Sequence, residues 1–236
     1  LLLTTDINQP LDEIGELTNL TSLRLGFDFN GSIEFMKKLT NLKKIEFGYM
    51  FDQPIDDVFE NLTKLESIHC KHEFDQPLDV LSKLTNLNEL LLWTNPSHSL
   101  ECLTRLTNLQ TFNVGDGSEK IEILPQLTSL TNLILGWYFN EPLNSLETLT
   151  NLRELTLNNN FNQPLDSLKL FTKLETLHIG TGFDHSLEPL KSLSKLKKIY
   201  TGNPKYKNDQ KLKDQFNISL SIGEYEQLAL IHDGVE

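Results

Sequence analysis

A four-residue motif, Leu-Thr-Asn-Leu or a near variant, recurs along this sequence at an almost constant spacing. Copies begin at Leu17, Leu39, Leu62, Leu84, Leu106, Leu127, Leu149, Phe171 and Leu193. Consecutive copies lie 21 to 23 residues apart, and most lie 22 apart. A fixed period of this length indicates structural units that stack on one another, because a unit this short cannot bury its own apolar face.

Each copy of the motif is followed by two apolar positions separated by one residue, as at Leu90 and Leu92. This alternation predicts a short β-strand, and the three-residue spacing of the leucines before it indicates a brief helical turn. Alanine, the best helix former, occurs only once in the chain, which argues against a helical bundle. We therefore predict an α/β repeat solenoid, an arc with a parallel β-sheet on its concave face and short helical or irregular return segments on its convex face.

A second motif of the form Phe-Asn-Gln-Pro-Leu follows most of the strands at the same period. It begins at Phe29, Phe51, Phe74, Phe139, Phe161 and Phe183, and with an isoleucine at Ile7. We expect the phenylalanines to stack as an aromatic spine inside the core. The next position always holds Asn or Asp, whose side chains favour turns by bonding to nearby backbone. Its members are Asn8, Asn30, Asp52, Asp75, Asn140, Asn162 and Asp184.

The two motifs in fixed phase resemble the leucine-rich-repeat superfamily and, within it, the FNIP-type repeat. The resemblance covers roughly residues 1–202, and we assign residues 203–236 to a C-terminal capping segment. Such families imply a protein-interaction scaffold. In some members an F-box precedes the array, which implies a substrate receptor of a ubiquitin ligase. No F-box is visible in this chain, so that context requires upstream sequence. The asparagine that usually follows a leucine-rich-repeat strand stands only at Asn95 and Asn160. We expect the Phe and Asn/Asp columns to replace its ladder.

Three segments depart from the regular pattern. Between Leu92 and Ile121 the Phe position is lost, which predicts looser packing or a change of curvature, or simply a tolerant loop. Residues 1–3 match the strand of a preceding repeat, so we expect more repeats or a cap upstream, since an open edge strand is a pairing liability. Residues 203–236 contain lysines that make a small basic docking element the alternative to a cap.

The residue between the two strand leucines points away from the core, and its identity varies while its neighbours repeat. Aromatic side chains and Arg on a rigid sheet are common binding anchors. We therefore predict that the concave face binds a protein partner, with the side around Arg24, Glu46 and Trp93 the stronger contact surface. Phe27, Tyr49 and Trp137 are either further contact residues or partly buried packing at the rim. The predicted contact residues are Arg24, Glu46, His69, Leu91, Trp93, Asn113, Ile134, Thr156, His178 and Tyr200.

A column of mostly acidic residues follows the second motif. Acidic side chains favour the first turn of a helix, so a capping role is one interpretation, and binding of a basic partner or a divalent cation is the other. The loops lack the acid-dense cluster that calcium sites use. The column comprises Asp12, Glu34, Asp56, Asp79, Glu101, Glu122, Asn144, Asp166 and Glu188.

Charge and cysteine usage narrow the function. A net charge of −12 disfavours nucleic acid and anionic membranes as partners. His69, Cys70 and His72 are close in sequence, yet in a strand His69 and Cys70 face opposite sides, which disfavours a metal site or a nucleophile. We expect no cofactor, no metal and no enzymatic activity.

The sequence thus predicts a non-enzymatic protein-binding module, and free cysteines favour an intracellular location. Two alternatives remain open. One is a cell-surface or secreted adhesin like the internalins, whose arrays also use 22-residue units with Leu-Thr-Asn-Leu. The other is an architectural protein that packs against copies of itself.

Overall fold

The computed structural model describes residues 1–2, 11–94, 97–116, 121–206, 214 and 217–219. The chain divides into two compact units, Leu1–Phe112 and Asn113–Glu236. The division falls inside a strand, β5, Thr111–Asn113.

The first unit contains four complete strands and the start of β5. They are β1 Ser22–Arg24, β2 Lys44–Glu46, β3 Ser67–Cys70 and β4 Glu89–Leu92. Neighbours in sequence are neighbours in the sheet, and they pair in parallel. Leu2 forms a parallel bridge with Arg24. The return segments are a four-residue helix, α1 Asp56–Phe59, and the 3₁₀ turns Asp12–Glu16, Glu34–Lys38, Asp79–Lys83 and Glu101–Arg105.

The second unit repeats this plan. Its strands are β6 Asn132–Leu135, β7 Glu154–Leu157, β8 Thr176–Ile179, β9 Lys198–Thr201 and β10 Asn217–Ser219, all parallel. Strand β10 lies in the segment assigned from the sequence to the C-terminal cap. The 3₁₀ turns are Ile121–Gln126, Leu143–Leu146, Asp166–Leu170, Glu188–Ser192 and Pro204–Tyr206.

The leucine spacing explains why the return segments are 3₁₀ turns. In a 3₁₀ turn side chains three residues apart lie above one another, so a Leu-x-x-Leu-x-x-Leu series forms one apolar edge. The amides of Leu168, Phe171 and Leu174 donate to the carbonyls three residues before them, each at 2.9 Å. The same side chains are fully buried. The predicted helical turns are therefore confirmed, with the tighter winding that this spacing favours.

The expected aromatic spine is confirmed within each unit. Phe29, Phe51 and Phe74 stack in the first unit with ring centroids 6.2 and 6.1 Å apart. Phe139, Phe161 and Phe183 stack in the second unit at 6.0 and 6.2 Å. The predicted interruption near Pro96 and residues 117–120 lies outside the described residues.

The Asn/Asp column does something different from the local turn bonds that we expected. Five of its described side chains, those of Asn30, Asp52, Asp75, Asn140 and Asn162, accept a hydrogen bond from the backbone of the next repeat. Asn30 Oδ1 accepts from the amide of Asp52 at 2.9 Å, and Asp52 Oδ1 accepts from the amide of Asp75 at 3.0 Å. In the second unit Asn140 Oδ1 accepts from the amide of Asn162 at 2.8 Å. These bonds form the ladder that the leucine-rich-repeat asparagine usually supplies, as predicted.

The asparagine of the Leu-Thr-Asn-Leu motif builds a second ladder between repeats. Its Nδ2 donates to the carbonyl of the threonine in the repeat before. Asn41 bonds Thr18 at 2.9 Å, and Asn151 bonds Thr128 at the same distance. This explains why an amide recurs at a position that no core contact requires.

Most members of the acidic column begin a return segment, and several pair there with lysines. The carboxylates of Glu34 and Glu188 bind Lys37 and Lys191 within the same turn. Acidic side chains occupy the first turn of most return segments, where the dipole favours them. Among the residues that the structure describes, no group of three His, Cys, Asp or Glu side chains could hold a metal ion.

Candidate functional site

The first unit brings one half of the predicted contact column together on the face of the sheet opposite the core, which we call the open face. The strand register places Arg24 beside Glu46, Glu46 beside His69 and His69 beside Leu91. Arg24 is exposed, whereas Glu46, His69 and Leu91 are half-buried. The alignment follows from parallel pairing without offset, so equivalent repeat positions become neighbours.

Charged side chains link three strands of this open face. The Glu46 carboxylate lies 3.4 Å from Nε of Arg24 and 3.9 Å from Nζ of Lys71. The side chain of Glu46 is only 18% exposed, while that of Arg24 is 56% exposed. Glu46 is therefore an anchor that two cations share, and Arg24 presents its guanidinium to solvent.

The structure buries Trp93, which is 6% exposed. The ammonium of Lys71 lies over its ring, 5.9 Å from the centroid. Burial lowers the pKa of Lys71, and the nearby Glu46 carboxylate opposes that shift. The Trp93 ring therefore packs against the Lys71 ammonium. A direct contact of this ring with a partner stays a prediction.

A serine, a histidine and a glutamate meet beside this network. Ser67 Oγ donates to the Glu89 carboxylate at 2.7 Å and lies 3.2 Å from Nε2 of His69. That same Nε2 bonds Glu89. Burial lowers the pKa of His69 despite the opposing bond to Glu89. In a nucleophilic triad the serine and the acid bond opposite ring nitrogens, whereas here both meet one nitrogen.

The second unit aligns the rest of the column in the same way. Ile134, Thr156, His178 and Tyr200 are consecutive partners in the register. His178 stacks on Tyr200 with centroids 4.6 Å apart, and its Nε2 lies 3.0 Å from Glu154. Thr156 and His178 are buried, while Ile134 and Tyr200 are half-buried. This part of the column therefore has no counterpart of the Arg24 and Glu46 pair of the first unit.

Asn113 is buried at the start of the second unit. Its Oδ1 accepts from the amide of Gly115 at 3.0 Å. Its Nδ2 has no hydrogen-bond partner within the part of the chain that the structure describes. Asn113 is only 2% exposed. Its contact with a partner stays a prediction.

The aromatic residues just beyond the strands were predicted to be either contact residues or partly buried packing at the rim, and they differ in exposure. Phe27 is 48% exposed, so about half of its surface is available to a partner. It stacks on Tyr49 at 4.9 Å, and Tyr49 stacks on His72 at 4.7 Å. Trp137, in the second unit, is half-buried. We call the stack of Phe27, Tyr49 and His72 the aromatic row.

Both cysteines are free; Cys70 is buried and Cys102 is half-buried. Cys70 lies in the core, as its alternation with His69 predicts, and burial raises its pKa far above the usual range. Burial, with a smaller contribution from Asp79, raises the pKa of Cys102 to about 11. Neither thiol is a nucleophile at neutral pH.

Sequence reasoning missed Lys71, Ser67, Glu89 and Glu154 as members of the open face. Each lies two residues from a predicted contact residue in the same strand or just beyond it. Because side chains on one face of a strand recur every second residue, extending the alternation by one step would have found them.

Comparison with known proteins identifies the fold. The chain is similar to internalin F from Listeria monocytogenes, with a TM-score of 0.62 and 21% identity over 83% of this chain and 64% of that one. It is also similar to the circular leucine-rich-repeat protein CroV588, with a TM-score of 0.65 and 21% identity over 93% of this chain and 31% of that one. The fold is that of a leucine-rich-repeat solenoid.

A second Listeria monocytogenes protein, internalin C2, has a TM-score of 0.56 and 22% identity over 77% of this chain and 76% of that one. The chain thus spans less than two thirds of the length of internalin F and about a third of CroV588. No protein-family model matches the chain. No curated protein sequence matches it either.

Proposed function

We propose that this chain is a non-enzymatic module that binds a protein partner through the open face of its sheet, chiefly in the first unit. Leucine-rich-repeat folds typically serve protein interaction, and the similar structures belong to that fold. The observation that carries the proposal is the network on the open face. An exposed Arg24 is anchored by Glu46, which Lys71 also approaches, on a surface that packing does not require.

Pre-organised charges favour recognition of a partner. The Glu46 carboxylate restrains the Arg24 side chain, so less rotamer entropy is lost when the guanidinium meets a partner. The rigid parallel sheet below fixes the spacing of the groups. The Arg24 side chain is 56% exposed, and an ion pair with an exposed partner adds little stability, so binding offers a more direct reason than folding for an arginine at this position.

The non-enzymatic part of the proposal is supported by the chemistry of the open face. The Ser67 hydroxyl and the Glu89 carboxylate both meet Nε2 of His69, and the hydroxyl also donates to the carboxylate. The histidine therefore does not stand between the acid and the serine, as it does in a catalytic triad. The two thiols are protonated at neutral pH because burial raises their pKa. These arrangements hold the face together and supply no activated nucleophile.

The finer family assignment is part of the same proposal. The Phe-Asn-Gln-Pro-Leu motif, its stacked phenylalanines and its Asn/Asp ladder support an FNIP-type array. On that basis the chain is the substrate-recognition part of a larger protein, in an F-box context if upstream sequence supplies one. Two free, protonated cysteines favour an intracellular site of action.

The structural similarity to two internalins favours one second candidate, a cell-surface or secreted adhesin. Labelling of intact, unpermeabilised cells with an antibody to this chain separates the two candidates. Surface labelling supports the adhesin, and labelling only after permeabilisation supports the intracellular module. In the described residues no helix is long and apolar enough to cross a membrane.

The proposed binding face is tested by affinity capture with quantitative mass spectrometry. The test variant combines Arg24→Glu with Glu46→Arg, which reverses the charges of the open face. The matched control combines Glu175→Lys with Lys197→Glu, an exposed ion pair of the second unit outside the predicted contact column. A partner captured by the unaltered chain and the control, but not by the test variant, supports the proposal.

Two other results contradict the proposal. Equal capture by both variants would place binding elsewhere on the chain, for example on the acidic column. Capture of only the chain itself, together with a mass in sedimentation that rises with concentration, would favour the self-associating architectural protein.

A further inference from the structure

The aromatic row is not required by the fold, as the second unit shows. The positions equivalent to Phe27, Tyr49 and His72 are occupied there by Trp137, Asn159, Thr181 and Asn203. Asn159 Oδ1 accepts a hydrogen bond from the amide of Thr181 at 3.0 Å. Asn203 Nδ2 donates to the carbonyl of Thr181 at 3.1 Å. At three of these four positions small polar residues therefore close the loops, so a stack of three rings in the first unit needs another explanation.

The rings form a continuous strip at the carboxyl ends of β1, β2 and β3. The stacking distances of 4.9 and 4.7 Å match the spacing of strands in a sheet. Backbone bonds hold the strip in place, since the amide of Met50 donates to the carbonyl of Phe27 and that of Glu73 to the carbonyl of Tyr49. Phe27 and Met50 are both exposed. The strip is thus a rigid, partly apolar surface beside the charged network.

The loops that carry the strip are acidic. Residues 26–31, 48–53 and 71–76 contain four carboxylates, those of Asp28, Asp52, Glu73 and Asp75, and a single lysine, Lys71. The ammonium of Lys71 faces Glu46 and Trp93. The whole chain also carries a net charge of −12. These loop carboxylates therefore favour a cationic group at the strip.

Resting on the proposed function, we propose that the aromatic row receives an arginine-containing segment of the protein partner. A guanidinium stacks on aromatic faces through both its charge and its planar surface, which suits it better than an ammonium. The exposed carboxylate of Glu73, which directly follows His72 in the chain, provides the charge complementarity. The methylene groups of the partner's arginine, with the residues beside it in the partner segment, would cover Phe27 and Met50.

The test is selection of peptides from a random displayed library on the immobilised chain, followed by binding measurements on the selected peptide. Three synthetic forms are compared by fluorescence anisotropy: the selected peptide, a form with lysine for arginine, and a form with citrulline for arginine. The row variant combines Phe27→Asn with Tyr49→Thr, which copies the residues that the second unit uses at equivalent positions. Tyr138→Ser removes the exposed aromatic side chain of the second unit, 64% exposed, and is the matched control.

We expect arginine-rich sequences to be enriched and the row variant to bind the selected peptide about tenfold more weakly, as the loss of cation–π contacts implies. The citrulline form should weaken by a similar factor, the lysine form by less, and the Tyr138→Ser chain should bind normally. Far-ultraviolet circular dichroism checks that the row variant is folded.

The inference is overturned if the selected peptides are acidic or uncharged, if nothing is enriched, or if the row variant binds as well as the original. Each of these results leaves the proposed function standing when the Arg24→Glu, Glu46→Arg chain still loses its captured partner. Normal capture by that charge-reversed chain contradicts the proposed function instead.

Discussion

At the residue scale, glycines after the strands are required where two backbones approach closely. A Cβ built on Gly48 would lie 1.8 Å from the carbonyl oxygen of Gly26, and one on Gly136 would lie 1.7 Å from that of Gly115. Neither oxygen can move without disturbing the repeat that carries it. Glycine at these positions is therefore a packing requirement between adjacent repeats.

Replacing Gly48 by alanine should lower the free energy of unfolding by about 2–3 kcal/mol, because the added carbon meets backbone atoms. Gly31→Ala is the control, since its Cβ would meet only the ring edge of Phe29, at 3.2 and 3.3 Å, and no backbone atom. Urea unfolding of both variants measures the difference. An equal loss in the two would show that the close approach is not the cause.

The Asn/Asp ladder gives a second prediction for a single side chain. Asp52 Oδ1 accepts from the amide of Asp75 at 3.0 Å and from Nε2 of Gln76 at 2.7 Å. Asp52→Ala should lower the free energy of unfolding by about 1–2 kcal/mol, because it leaves an amide without its acceptor. Asp52→Asn retains the acceptor and should recover most of that loss in the same urea unfolding measurement. No recovery would point to charge as the reason for this residue.

At the element scale, the aromatic spine should carry a large part of the stability of each unit. Phe161 is fully buried and stacks on both Phe139 and Phe183. Phe161→Ala should lower the free energy of unfolding by about 3–5 kcal/mol, through lost burial and the cavity left behind. Phe161→Leu should cost clearly less. Thermal unfolding followed by circular dichroism compares the two, and similar losses would contradict the explanation by burial and cavity volume.

The pairing of β7 and β8 makes stability depend on pH. The hydrogen bond from His178 holds the pKa of Glu154 below its ordinary value of 4.5. The unfolded chain therefore binds more protons than the folded chain in this range, so the contribution of Glu154 is complete above pH 4.5 and is lost as the pH falls through the lowered pKa. Glu154→Gln should flatten the decline of unfolding free energy in this acidic range.

Urea unfolding at a series of pH values measures this effect. Glu147→Gln removes an exposed carboxylate outside the pair and is the control. The control should follow the curve of the original chain. A decline that is equally steep in Glu154→Gln would remove the pair from the explanation.

The repeat period was sufficient to predict the strands β1 to β9 and the phenylalanine stacks, because it identifies equivalent residues and parallel pairing makes them neighbours. It favoured a ladder of the Asn/Asp column, but it did not predict the hydrogen-bond partners of Asp52 or of Asn41. Rules for turns consider residues nearby in sequence, whereas these partners lie 23 residues away. Equivalent positions are visible in a sequence, but the direction of a side chain between two repeats is not.

The open face was predicted less completely than the fold. The central column was placed correctly by alternation, yet the burial of Trp93 under Lys71 was not. The sequence predicts that Lys71 and Trp93 lie on one face of the sheet. Which of the two side chains covers the other depends on how the chain turns after β3 and β4. Likewise, the aromatic row could be suspected from Phe27 and Tyr49, and the addition of His72 required the stacking geometry.

At the scale of the whole molecule, stability should be distributed by nearest neighbours. Each repeat in a solenoid contacts mainly the repeats beside it, so damage should fade with distance along the array. In Phe161→Ala we expect amide hydrogen exchange to rise most in β7 and β8 and progressively less in more distant strands. Mass spectrometry of peptides after exchange measures this profile. A uniform rise across the chain would indicate a single cooperative unit.

The ladder of Asn30, Asp52 and Asp75 also bears on how such a chain changes over generations. Every side chain in it accepts from the following repeat, and every following repeat brings the same donor. Recombination that removes or duplicates one whole repeat in frame would therefore rejoin an acceptor with an equivalent donor. Array length can vary without new compensating substitutions, while the open face changes residue by residue. Recombination can therefore change the number of repeats, while single substitutions on the open face change what the chain recognises.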